Sequence, residues 1–189
     1  MSKESTFESA VDKLSTNQKR FIAEVIGTFI VVVLATGSVV IDAKLNGILG
    51  LPFIAFAPVV GVAIGVYLFG KISMAHFNPD VTVGFLITKH ITGKLFALYL
   101  LAEIVGAFLA SLFVSIVIGR EANLGANAPN YLYLLPLIFG IEVLASALLM
   151  AVIFTVVYTK GLKGFGGIVI GGIVGLDILF FLNMLFFQV

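Results

Sequence analysis

Long apolar segments separated by short polar ones dominate the chain. Five of them reach the roughly 20 residues that a helix needs to cross a hydrocarbon core about 30 Å thick. They cover residues 21–41, 48–69, 95–118, 132–158 and 165–187. The apolar positions lack the alternation of a membrane β-strand, so we predict an all-α membrane protein with about five spanning helices.

A further apolar segment, residues 72–88, is interrupted by polar side chains and bracketed by Lys71 and Lys89. A complete crossing would carry Lys89 and the next lysine to the side opposite Lys71, against the tendency of positive charges to stay on one side. We therefore predict that residues 70–88 enter the membrane and return on the same side. The alternative is an ordinary spanning helix that is merely kinked at its Asn-Pro pair.

The predicted re-entrant segment contains a signal for a helix start at Asn78 and Pro79. Asparagine is a preferred N-cap, and proline a preferred first helical residue. A helix from Asn78 to Thr88 would be about 15 Å long, half the hydrocarbon thickness, so its N-terminus would lie near the membrane midplane. The non-helical backbone before it would line a pore, and the positive end of the half-helix would repel cations and suit a neutral polar solute.

The basic residues are distributed unequally between the two sides of the predicted membrane domain. Nine of the eleven Lys and Arg residues lie on one side, and only Lys44 and Arg120 lie on the other. The positive-inside rule places the N-terminus in the cytoplasm and residues 119–131 outside a cell membrane. Residues 1–20 form a cytoplasmic tail that is either a short amphipathic helix or disordered.

Composition narrows the function classes. The chain is 60% hydrophobic and 11% charged, which requires lipid to cover much of its surface. A net charge of +1 gives no reason to expect a nucleic-acid partner. There is no cysteine, and no second histidine or acidic cluster stands near His76 at metal-ligand spacing. We expect no catalytic residue, no metal and no cofactor.

The two halves of the chain resemble each other. Glu24 lies early in the first span and Glu142 early in the fourth, and the glycine-rich residues 61–65 of the second span resemble residues 171–175 of the fifth. Three spans per repeat make the repeats inverted, with residues 21–118 as the first and residues 132–189 as an incomplete second. The counterpart of Asn78 would fall at or beyond the last residue, so we expect the second half-helix and sixth span to be missing.

Three motifs resemble the aquaporin and glycerol-facilitator family of major intrinsic proteins. They are Ala-Glu-Val-Ile-Gly-Thr at 23–28, Ile-Ser-Met-Ala-His-Phe-Asn-Pro-Asp-Val-Thr at 72–82, and Leu-Ala-Glu-Ile-Val-Gly-Ala at 101–107. The resemblance implies an inverted-repeat helical bundle with one pore per monomer, usually as a homotetramer in the lipid bilayer.

The resemblance also implies roles for individual residues. Asn78, with Pro79 and Asp80 in the same motif, would orient the passing solute by its amide. The backbone of residues 75–77 would form the pore wall. One position of the family's filter would fall near Phe56 to Pro58. The wall residues are Ala75, His76 and Phe77. The resemblance also implies three buried acids that brace the re-entrant loops, namely Glu24, Glu103 and Glu142.

The chain departs from the family pattern at several positions. Asp80 replaces an alanine, Met74 a glycine and Glu103 a glutamine, and no second Asn-Pro-Ala motif follows residue 181. Asp80 could accept a backbone N–H at the helix start, or it could face the pore and weaken the barrier to cations; we expect it to point into the protein. Asp177 could bond a missing loop or be left without a partner by truncation.

Three functions remain after these observations. The first is a passive channel for water or small uncharged solutes such as glycerol, and the second is a truncated, non-conducting member that only assembles with other subunits. An intramembrane enzyme built on His76, Asp80 and Glu103 is a distant third. The first is our expectation.

Overall fold

The computed structural model describes residues 14–126, 128–129, 132–162 and 164–187. The chain is a bundle of long helices with one short helix inserted between the second and third. The helices are α1 Thr16–Lys44, α2 Gly50–Ser73, α3 Pro79–Ile87, α4 Gly93–Phe113, α5 Glu121–Gly125, α6 Leu135–Tyr158 and α7 Gly166–Leu185. Within the described residues, four helical segments are long and apolar enough to cross a membrane: α1, α2, α4 with its π-helical extension to Ile118, and α6.

The remaining predicted span is also helical. Its apolar part, Gly166–Phe181, is shorter than the other four, and the backbone of α7 continues to Leu185. Short elements complete the fold: a π-helical turn at Val114–Ile118, a 3₁₀ turn at Lys160–Leu162, and an antiparallel pair of the two-residue strands β1 Ala128–Pro129 and β2 Phe186–Phe187. The predicted all-α membrane architecture is confirmed.

The start of α1 differs from the predicted boundary of the tail. Ser15 caps the helix in a reciprocal capping box with Gln18, at 2.8 and 3.3 Å. The helix therefore begins at Thr16, so residues 16–20 are continuous with the helix of the first predicted span. The amphipathic helix considered for residues 1–20 falls mostly on residues 1–13, which lie outside the described residues.

Glycines allow the helices to approach closely. Gly61 of α2 faces the backbone of Val31 in α1, and Gly106 of α4 faces the carbonyl oxygen of Val25. In α7, Gly171 and Gly175 pack against Val59 and Ala55 of α2. Small residues are the usual means of helix contact in lipid, where burial of apolar surface gives no net drive. The similar glycine-rich segments of the second and fifth spans therefore lie on two helices that pack together.

Cross-contacts define the two ends of the bundle. At one end, the Tyr67 hydroxyl donates to the Gly164 carbonyl at 3.1 Å, and His90 contacts the Tyr158 hydroxyl. We call this the Tyr158 end. At the other, the Lys44 end, the Lys44 ammonium contacts the Ile118 carbonyl and lies 4.0 Å from the Glu121 carboxylate.

These contacts place the chain before and after α3 at the same end. α2 ends near Tyr67, and the turn after α3 carries His90, and both belong to the Tyr158 end. The segment between α2 and α4 therefore enters the bundle and returns, as its flanking lysines predict. The alternative of a kinked spanning helix is excluded, because α3 has 9 residues and is separated from α2 by non-helical backbone.

Candidate functional site

The re-entrant segment changes direction through backbone that is unusual for its residues. α2 ends at Ser73, and Met74, Ala75 and Phe77 follow with φ of 70°, 54° and 53°. Residues other than glycine rarely adopt these backbone angles. Each one costs about 1–3 kcal/mol and persists only where the surrounding structure holds the backbone in that conformation. The surrounding contacts must therefore hold the segment in place.

The Glu24 carboxylate of α1 is the first of these contacts. The backbone N–H of His76 donates to one carboxylate oxygen at 3.1 Å, and that of Phe77 donates to the other at 2.8 Å. Glu24 has no exposed surface. The two hydrogen bonds stabilise the buried carboxylate, and they give an acceptor to two backbone N–H groups that have no helical partner. Glu24 thus links α1 to the re-entrant segment through two hydrogen bonds.

A second set of hydrogen bonds holds the segment from α4. The ring Nδ1 of His76 lies 2.8 Å from the Thr82 hydroxyl, which donates to the Glu103 carboxylate at 2.6 Å. Both His76 and Glu103 are buried. Because the single hydroxyl hydrogen of Thr82 goes to Glu103, Nδ1 is the donor in its contact with Thr82. Tyr99 adds a third bond from α4, donating to the Ser73 carbonyl at 2.7 Å.

Phe77 holds the segment by packing. Its ring lies against Gly27 of α1 and Gly65 of α2, and a Cβ built on either glycine would overlap the ring. The ring also meets Phe69 edge-on, with centroids 6.2 Å apart. Phe77 therefore acts as a wedge between the first two helices, while its backbone lies at the turn.

Asn78 caps the half-helix as predicted. Its side-chain oxygen accepts the backbone N–H of Asp80 at 2.9 Å, and Pro79 is the first helical residue. Since a backbone N–H can only donate, the oxygen must face it, and the amide nitrogen of Asn78 is directed elsewhere. Among the hydrogen bonds of the described residues, none uses this amide nitrogen or the carbonyl oxygens of residues 75–77.

A cavity of about 540 Å³ lies beside the segment. Met74, the three predicted wall residues and Asn78 line it, and apolar side chains from α1, α2, α3, α6 and α7 form much of the remaining wall. Of the described residues that line it, Lys71 alone carries a full charge. The predicted wall residues and the predicted amide donor are thus brought together at one cavity: Ala75, His76, Phe77 and Asn78.

The predicted filter region on α2 does not line the cavity. Phe56 is 64% exposed on the outside of the bundle, Pro58 is fully buried, and neither lines the cavity. The reason is the helix register: Phe56 precedes Gly65 by nine residues, which places it about 180° away around a helix of 3.6 residues per turn. Because Gly65 faces Phe77, Phe56 points away from the bundle interior.

Glu142 departs from the buried position implied for it, whereas Asp80 forms a hydrogen bond to another helix. Glu142 is only half-buried and, within the described residues, accepts no hydrogen bond; it interacts electrostatically with Asp80 and Asp177. Asp80 is exposed, and its carboxylate accepts a hydrogen bond from Ser146 of α6 at 2.8 Å. Asp80 therefore points toward a neighbouring helix. Within the described ranges, no three acidic or histidine side chains form a metal site.

Comparisons with known proteins agree with the motifs. The family model described as "Major intrinsic protein" matches residues 11–185. "Glycerol uptake facilitator protein-like 6" of Lactiplantibacillus plantarum is 33% identical over 171 residues, which cover 88% of this chain and 76% of that protein. "Aquaporin NIP1-1" of Zea mays is 31% identical over 163 residues, which cover 85% of this chain and 57% of the maize protein.

A solved structure shares the fold. The X-ray structure of the aquaglyceroporin from Plasmodium falciparum superimposes with a TM-score of 0.74 at 22% identity, over 87% of this chain and 73% of the other. At this identity the likeness concerns the fold alone. The architecture of the bundle and its re-entrant segment thus has a counterpart of known structure.

Proposed function

Because the chain belongs to the major intrinsic protein family, whose members are channels rather than enzymes, we propose that it is a passive channel for water and small uncharged solutes of the glycerol type. The proposal rests chiefly on Asn78. Its oxygen is occupied by the N–H of Asp80, so its amide nitrogen is the free donor at the cavity.

The electrostatics of the site support a neutral solute. Asn78 stands at the N-terminus of α3, where the helix carries about half a positive charge. A solute oxygen can accept from the amide there, whereas a cation meets the positive end of the helix and an apolar wall. The carbonyl oxygens of residues 75–77 would supply acceptors for the hydrogens of the solute.

Orientation and assembly form part of the proposal. The Tyr158 end carries most of the basic residues, so it faces the cytoplasm of a cell membrane, with the N-terminus on that side. Exposed apolar side chains on α4 and α6, such as Phe108 and Phe139, would contact lipid or neighbouring copies in a homotetramer. Protease access from each side of the membrane tests the orientation. Crosslinking in native membranes tests the homotetramer.

Stopped-flow light scattering on proteoliposomes tests the channel. We expect water and glycerol permeabilities above those of empty vesicles, and a loss of about tenfold in Asn78→Ala because one hydrogen-bond donor to the solute is removed. Asn17→Ala, at an exposed site in the first turn of α1, is the matched control and should leave both rates unchanged.

An absence of flux above empty vesicles would contradict the channel and favour a subunit that only assembles with others. The same vesicles, prepared with a conducting relative as a positive control, exclude a failure of reconstitution. Equal flux in Asn78→Ala and the unmodified chain would show that solutes cross elsewhere.

A further inference from the structure

The half-helix α3 lies along α6 through a seam with one polar contact. Ser146 donates to the Asp80 carboxylate at 2.8 Å. One turn further, Gly84 lies so close to Met150 that a Cβ would approach the Met150 Cε to 2.6 Å. From the first contact to the second, the chain advances by four residues on each helix. The helices α3 and α6 therefore run in parallel, from the interior toward the Tyr158 end.

The rest of the seam is apolar. Val81 and Phe85 of α3 form a buried cluster with Leu149 and Ile153 of α6. Each dispersion contact in such packing is individually small and has no donor or acceptor. The Asp80–Ser146 hydrogen bond is the contact in this seam that has a defined donor and acceptor.

Asp80 joins this seam to the pore through its backbone. Its N–H donates to the side-chain oxygen of Asn78, and its carboxylate accepts from Ser146. We propose that Asp80 is a positioning residue, which sets the amide of Asn78 by locking the first turn of α3 to α6. The proposal rests on the proposed channel function. An alanine, which the family motif has here, could not reach Ser146.

The competing explanation is that Asp80 acts by its negative charge, attracting cations to the pathway. Its charged surroundings make this a real alternative, because Glu142 on α6 interacts electrostatically with Asp80, and Asp177 on α7 interacts with Glu142. The two explanations differ in what an uncharged acceptor at position 80 would do. Asparagine keeps an oxygen for Ser146 and removes the charge.

Four variants in proteoliposomes separate the explanations: Asp80→Asn, Asp80→Ala, Ser146→Ala and the double variant Asp80→Ala/Ser146→Ala. We expect Asp80→Asn to keep the water permeability and the ratio of water to glycerol permeability. Asp80→Ala and Ser146→Ala should each lower the water permeability by up to about tenfold, as expected for losing one hydrogen bond to a charged group. The double variant should be no worse than either single one, because both remove the same interaction.

Ser111→Ala is the matched control, because among the described residues the Ser111 hydroxyl bonds only the Ala107 carbonyl of its own helix, at 3.0 Å. It should leave the permeabilities unchanged. Equal loss in Asp80→Asn and Asp80→Ala, with Ser146→Ala unaffected, would overturn the positioning role and support the charge. Independent, additive losses in the two alanine variants would also overturn it.

The design also separates failure of this inference from failure of the channel. If the unmodified chain shows no flux, the proposed function fails. If it conducts and all variants conduct equally, only the positioning role fails. Size-exclusion profiles and melting temperatures of each variant in detergent identify those that do not fold, and Asp80→Asn, which changes no shape, keeps the test decisive.

Discussion

Glu24 and Glu142 each lie early in a long helix, α1 and α6, but their surroundings differ. Glu24 is fully buried, and both its oxygens accept backbone N–H groups from the re-entrant turn. Glu142 is half-buried, accepts no hydrogen bond within the described residues, and interacts electrostatically with another carboxylate. A similar place in a helix thus does not make two acids equivalent in energy. A carboxylate becomes a brace only where unpaired amides surround it.

Substitution of Glu24 should give the largest effect. In Glu24→Ala, the N–H groups of His76 and Phe77 lose their acceptors inside the bundle, which we expect to cost about 3 kcal/mol or more and to abolish permeability. The stability and permeability of Glu24→Gln should fall between those of the unmodified chain and Glu24→Ala, because the glutamine amide offers only one acceptor oxygen. Thermal unfolding in detergent and stopped-flow permeability measure both effects. A fully conducting Glu24→Ala would refute the brace.

Gly65→Ala should give the next largest effect. The added Cβ would lie 2.6 Å from the Phe77 ring, and overpacking of this kind costs about 1–3 kcal/mol. Gly172→Ala in α7 is the matched control, because an added Cβ there would meet no atom within 4 Å beyond the backbone of its own helix. It should be neutral or slightly stabilising. Similar melting temperatures for the two variants would show that Phe77 is not wedged as described.

Thr82→Val should give a smaller loss, of about 1–2 kcal/mol, because it removes the hydroxyl between His76 and Glu103 while keeping the volume. Thr82→Ser should restore stability. The control is Thr155→Val in α6, where the hydroxyl bonds only the Ala151 carbonyl at 2.8 Å. Denaturation in detergent compares the stabilities of the three variants. An equal loss of stability in Thr82→Val and Thr155→Val would show that the hydroxyl of Thr82 contributes no more than that of another helical threonine.

Glu142→Gln should give the smallest effect, within about 0.5 kcal/mol, since it removes no hydrogen bond in the described chain and relieves repulsion from Asp80. The same thermal unfolding assay measures it. A loss as large as that of Glu24→Gln would remove the distinction between the two halves.

The parts of the site that local chemistry determines could be predicted from the sequence. The Asn78 cap and the Pro79 helix start follow from adjacent residues, and the return of the segment follows from Lys71 and Lys89. The Phe77 wedge could not be predicted, because the glycines that admit its ring lie 50 and 12 residues earlier. The left-handed backbone at Met74 and Ala75 is not marked by a glycine in this sequence, and the glycine that the family motif has at position 74 is its one signal.

Helix register accounts for another gap. The motif placed a filter position near Phe56 without showing which way that side chain points. The glycine positions on α2 contain that information, but only once Gly65 is known to face Phe77. The Thr82 bridge was missed for a similar reason: it joins α3 to α4 through two residues whose separation in space is set by the whole bundle.

The bracing of the re-entrant segment has a consequence for biosynthesis. Glu24 emerges from the ribosome before the turn that it holds, so the amides of His76 and Phe77 find their acceptor as soon as they are made. Glu103 follows, and Ser146 of α6 comes last. We therefore expect insertion to proceed in stages, in which the turn forms against α1, is locked by α4, and leaves the half-helix uncovered on one side until α6 enters the membrane.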